Sequence, residues 1–225
     1  GGIMNHPYDG IMNALGNVAD RLIQVYVYQD ILGYYNAVII LDEDPDGWLD
    51  KLAPLAKYVH KHNLALPLII NRRFIHYSLD SYPLEFINII SSQSVNLLVK
   101  EDLLASLKIQ PADVRLQMER EFKSKWLLTR QIVLEGKLNN RNLRETMRRS
   151  ITALIPALKG FFFLANQPYP QTSKDLFAQA ALISKADLNA LGIWMDKSSI
   201  ETADVERYLS ILQKLMELME TYQVD

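Results

Sequence analysis

Four histidines, a short acidic run and one long basic stretch are the side chains whose types and spacing could do chemistry in this 225-residue sequence. The histidines are His6, His60, His62 and His76. On a helix, His60 and His62 would point about 200° apart, and no third ligand stands at a familiar zinc spacing. No histidine follows His76, so the second half has no imidazole to act as acid or base. Asp42, Asp44, Asp46 and Gly47 match the first half of a calcium loop, where alternating carboxylates converge on a hard cation; the closing position, which needs a bidentate glutamate, is Ala53. The run therefore reads as a solvated acidic turn in which Asp44 caps a helix and Pro45 takes its first position. Between Arg115 and Arg149, ten Lys and Arg stand against four Glu. Such a stripe could neutralise phosphates, but the commoner role is the solvated face of a helix. A phosphate-cradling GxxxxGK[ST] loop and a GxSxG elbow are both missing from the sequence.

The elements that must position these groups fall into two halves. Hydrophobic residues make up 49% and charged residues 22% of the chain, enough to bury a core without approaching the composition of a disordered chain. No apolar run approaches the roughly 18 residues of a membrane span. The opening GGIMNHPYDG lacks the pattern of a secretory signal, and with zero cysteines a reducing cytoplasm is the expected compartment. Up to residue 107 there are 7 Lys and Arg against 12 Asp and Glu; from 108 onward, 17 against 14. The secondary-structure signals change at the same place. Before it, the pattern predicts a helix over 8–20, strands over 22–27, 37–41, 66–71, 84–90 and 95–99, and a helix beginning at Asp44–Pro45 with apolar positions through Val59. After it, everything reads as helix: 111–135 ended by Gly136, one starting near Asn140 with Pro156 inside, two short ones opened by Thr172 with Asp175 and by Ser184 with Asp187, and a last one over 202–222. The expected architecture is an α/β domain with a mixed sheet over 1–107, followed by an all-α helical bundle over 108–225.

Three segments carry a resemblance. VIILDEDPDGWLDKLAPLAKYV (38–59), SYPLEFINI (81–89) and LQMERE (116–121) resemble the nucleotidyltransferases of the DNA polymerase beta superfamily, in particular a bacterial group that joins a small nucleotidyltransferase-like domain to a helical bundle. The kanamycin nucleotidyltransferases share the general layout. The resemblance implies a Gly-Ser turn whose amides meet nucleotide phosphates, and two carboxylates one residue apart that hold magnesium with a third on a neighbouring strand. Here Gln29 and Asp30 stand at the turn, Tyr34 and Asn36 match the carboxylate pair, and Asn88 matches the third acid. Neutral amides and a phenol do not supply the charge that magnesium requires. If each lies on a strand, Tyr34, Asn36 and Asn88 are expected to approach one another as a vestigial site.

The resemblance thus implies a degenerate, non-catalytic protein without metal or cofactor, whose partner is a nucleotide or another protein; neither nucleic acid nor a membrane is expected. Two alternatives stay open. In one register, Asp42 and Asp44 become the metal-binding pair of an active, magnesium-dependent nucleotidyltransferase acting on a small hydroxylated acceptor; in the other alternative the chain is a structural scaffold without ligand. The helical half also invites comparison with HEPN ribonucleases, but their arginine–histidine signature has no histidine to use beyond His76.

Overall fold

A hairpin of apolar strands organises the first half. In a computed structural model, which describes residues 5–139 and 142–224, β1 (Leu22–Gln29) runs antiparallel to β2 (Tyr35–Leu41), with Tyr26 opposite Val38 and Tyr28 opposite Asn36. β3 (Leu68–Asn71) lies parallel to β2, and β4 (Gln93–Val99) antiparallel to β1, giving a four-stranded mixed sheet of order β3-β2-β1-β4. The chain divides into two compact units, Gly1–Leu79 with Asn88–Lys108, and Asp80–Ile87 with Ile109–Asp225. Among the described residues no helix is long and apolar enough to cross a membrane.

Alternation gives the sheet of the first unit two faces. Val25, Val27, Ala37, Ile39 and Leu41 form one core with Tyr8, with Ile11, Leu15 and Val18 of a 3₁₀ helix (Ile11–Arg21), and with Leu52, Leu55 and Val59. The opposite face carries Gln24, wholly buried. Its amide nitrogen donates to Asn96 (2.8 Å) and Asp102 (2.9 Å), and its carbonyl oxygen accepts from the Leu104 amide (3.2 Å), which ties residues 102–104 to the sheet.

The helix expected from Asp44 and Pro45 starts later and is broken. α1 (Trp48–Lys51) begins after Gly47, whose φ of +66° turns the chain, and Asp44 caps nothing there. α2 (Ala53–Lys61) starts afresh because Pro54 lacks an amide hydrogen and its ring opposes the preceding turn. α3 (Arg72–Ser78) follows β3 directly, and Asn71 caps it by accepting from the Phe74 amide at 2.8 Å.

Residues 84–90, expected as a strand, form a helix instead, α4 (Pro83–Ile90). A short, continuously apolar run suits either state; Pro83 at the first position and Glu85 in the first turn favour the helix. In the second unit the Gln117 side chain completes that start, accepting from the Leu84 amide (2.8 Å) and donating to Glu85 (2.7 Å).

The rest of the second unit is helical. α5 (Pro111–Asn139) buries Val114, Met118 and Phe122 and carries the Glu119–Lys123 and Glu121–Lys125 pairs. Gly136 does not end it, since glycine stops a helix only when the chain takes up a left-handed conformation there. The helix start expected near Asn140 falls on residues outside the described ones; α6 (Leu143–Leu164) opens with Asn142 as cap and contains Pro156. Thr172 caps α7 (Ser173–Ser184), accepting from the Asp175 amide at 3.1 Å. Ser184 closes that helix rather than opening the next: it accepts from the Ala186 amide, while Asp187 pairs with Arg207, and α8 (Asn189–Asp196) begins later. α9 (Thr202–Thr221) buries Val205, Tyr208, Ile211, Leu212, Leu215 and Met219. Leu209 and Met216, which share the helical spacing of Val205, Leu212 and Met219, are only half-buried, so the buried face is broadened toward Tyr208, Ile211 and Leu215.

Candidate functional site

The end of the β1–β2 hairpin brings four of the expected site residues together and gives each a structural task. Gly33, with φ of +91°, lets the chain reverse, and its amide donates to the Asp30 carbonyl at 2.9 Å. One oxygen of the Asp30 carboxylate accepts from two backbone amides, Leu32 (3.0 Å) and Tyr34 (2.9 Å). Gln29 donates its side-chain amide to the Gly33 carbonyl (3.0 Å), and Asn36 donates to the Tyr34 carbonyl (3.2 Å). The Tyr34 ring is exposed. Tyr28, across from Asn36, is buried, and that burial, reinforced by the Asp30 charge, pushes its phenol up to about 12, so it stays protonated at neutral pH.

Asn88 does not join them. It lies on α4, not on a strand, so the alternation that was to bring it beside Tyr34 and Asn36 does not operate. Its carbonyl accepts from Ser92 (2.7 Å) and Ser91 (3.3 Å), and among the described residues its side chain makes no hydrogen bond to the hairpin.

Asp42 and Asp44 sit where the parallel strands β2 and β3 end, the position at which open α/β sheets commonly place ligands. Both are exposed, and each is engaged by a residue at the start of α3. The Arg72 guanidinium donates to Asp42 (3.0 Å) and to Glu101 (2.8 Å), and Asn71 donates to Asp44 (3.2 Å). Its hydrogen bond to Arg72 holds the Glu101 carboxyl below the usual range, and the two acids hold the guanidinium fully charged. Asp42 therefore faces a fixed organic cation. Among the described residues, no group of three or more His, Asp or Glu is placed to hold a metal ion, and this donor set does not fit the two-ion site that the resemblance implies.

Comparison with the models of known families, with curated proteins and with solved structures finds no match. The site must therefore be judged on its own chemistry. Arg72, Asn71 and Glu101 escape a reading of the sequence because their partners lie 27 to 30 residues away along the chain. The one available signal is that Asn71 and Arg72 follow an apolar strand directly. Of the ten basic residues between Arg115 and Arg149, Arg115 donates to the Met219 carbonyl (2.7 Å), Arg144 to the Lys197 carbonyl (3.1 Å), and Lys123, Lys125 and Arg149 pair with glutamates on their own helices. Arg130 lies over the Trp126 ring at 4.2 Å. Among the described residues these bonds spread the basic side chains over separate partners rather than gathering them at one point.

Proposed function

We propose that the chain is a degenerate nucleotidyltransferase-like protein that performs no transfer and serves as a protein-interaction module. One observation carries the choice of a protein over a nucleotide. In the fold it resembles, the amides of the first turn meet the phosphates; here the Asp30 carboxylate already takes the Leu32 and Tyr34 amides and places a negative charge in their path. The pairing of Asp42 with Arg72 supports the loss of metal chemistry, because a magnesium ion would have to displace a charge-assisted hydrogen bond. Trp48 and Leu49, 44% and 69% exposed beside the acidic turn, are the type of apolar side chains that partners bury. The helical state of α4 departs from the resemblance at its third acidic position, which also favours a non-catalytic role. A cysteine-free chain suits a cytoplasmic setting.

Calorimetric titration with nucleoside triphosphates, with and without magnesium, tests the reading. No saturable heat is expected in either case. Magnesium-dependent binding lost in Asp42→Asn would establish the enzyme alternative; binding without magnesium would replace the protein-interaction reading with a nucleotide sensor.

A further inference from the structure

A cleft of about 660 Å³ opens between α5 and α6 within the second unit, inside the size range of small-molecule sites. Its two ends differ chemically. Toward the middle of the bundle stand Lys125, Thr129 and Ser150; along its length lie Leu128 and Ile132 of α5 and Leu143 of α6. The mouth, at the other end, holds Glu135, while Glu145 and Arg149 of α6 also line the cleft and pair with each other at 2.8 Å.

The inner end is a built hydroxyl chain. Tyr208 is fully buried and its hydroxyl lies 2.7 Å from Ser150, whose oxygen is 3.1 Å from that of Thr129, itself only 3% exposed. Burial pushes the Tyr208 phenol up, so it keeps its proton. The order that leaves no buried proton idle is Tyr208 donating to Ser150 and Ser150 to Thr129. Thr129 then holds the terminal hydroxyl proton at the floor of the cleft. Beside it, the Lys125 side chain is only 14% exposed, and its ammonium uses one of three donors on Glu121 at 3.2 Å. An ammonium and a hydroxyl donor at one end of an apolar trough match an anionic acceptor with a hydrocarbon tail.

We propose that this cleft binds a small monocarboxylic acid, its carboxylate accepting from Lys125 Nζ and Thr129 Oγ1 and its tail lying over Leu128, Ile132 and Leu143. The acidic mouth sets the orientation, because Glu135 repels a carboxylate placed there. Sodium octanoate is the probe, with 1-octanol as its neutral counterpart, titrated calorimetrically into the full chain. Saturable one-to-one binding of octanoate is expected. Lys125→Met, which keeps the stem, is expected to weaken octanoate about tenfold or more while leaving octanol unchanged. Thr129→Val, which keeps the shape, is expected to weaken it by about fivefold. Thr146→Trp, in mid-cleft, removes both ligands; if its helix content shows misfolding, the two shape-conserving variants decide. An absence of saturable octanoate binding, or octanoate affinity that Lys125→Met leaves unchanged, overturns the proposal.

Discussion

Alanine introduced at Gly160 of α6 and at Gly136 of α5 is the same chemical change in neighbouring helices, yet the structure gives it opposite signs. A methyl at Gly160 would stand 2.4 Å from Met118 Sδ, 2.8 Å from its Cγ and 3.1 Å from Leu84 Cδ2, whereas among the described residues nothing lies within 4 Å at Gly136. Helix propensity favours alanine over glycine by about 0.8–1.0 kcal/mol at either site. At Gly136 that gain stands alone, and a stabilisation of about 1 kcal/mol is expected. At Gly160 the sulfur has to retreat by more than about 1 Å to regain an ordinary contact, and Met118 is fully buried. Overpacking of this kind costs about 1–3 kcal/mol, which outweighs propensity and leaves a net loss of about 1 kcal/mol. Because the chain has two units, urea unfolding followed by helical circular dichroism and by tryptophan fluorescence keeps their transitions apart. Met118→Ala costs stability by itself, but in combination with Gly160→Ala the loss is expected to fall short of the sum of the two, since the new methyl enters the vacated volume. A Gly160→Ala protein as stable as Gly136→Ala would refute the close approach of α5 and α6.

Two smaller expectations concern carboxylates with structural tasks. Asp30→Ala removes the acceptor of the Leu32 and Tyr34 amides and is expected to cost about 1–2 kcal/mol, while Asp30→Asn, which keeps an oxygen acceptor, costs less; hydrogen exchange at those two amides reports the difference. Asp204 accepts from the Glu201 amide (3.0 Å), Lys197 (3.0 Å) and Trp194 Nε1 (3.2 Å), and these bonds, the Glu201 amide first, hold its carboxyl below the usual range. A depressed folded value means that its contribution is complete at neutral pH and is lost as pH falls from the unfolded value of about 3.9 through the folded one; acid titration followed by Trp194 fluorescence is expected to show that step in the wild type and not in Asp204→Asn.

Elements announced by local chemistry were legible in the sequence. The β1 and β2 strands, the start of α7 at Thr172 and the i,i+4 pairs of α5 all depend on neighbours within a few residues. The breaks were harder, because they turn on one residue acting against its surroundings: Pro54 divides an apolar helix pattern that otherwise continues, and Gly136 sits in a helix that runs past it. The start of α9 at Thr202 was legible from its apolar spacing, although the usual polarity of a capping box is exchanged there, with Glu201 at the cap and Asp204 three residues on.

Gln29, Asp30, Tyr34 and Asn36 lie together because hairpin geometry fixes them locally. Their roles depend on which backbone groups need partners, and that is decided only when Gly33 turns the chain. Asn88 failed for a different reason. Residues 84–90 are apolar without a break, so the run carries no period by which strand and helix differ, and the amide that settles the matter, from Leu84, is satisfied by Gln117, 33 residues away. The consequence for function is specific. A vestigial metal site needs three groups converging on one point, and an acid placed at position 88 would stand on a helix whose first-turn groups are already committed to Gln117. Acids at positions 34, 36 and 88 would therefore stand on a hairpin and on a helix, and substitution alone would not give them the convergence that a metal ion needs.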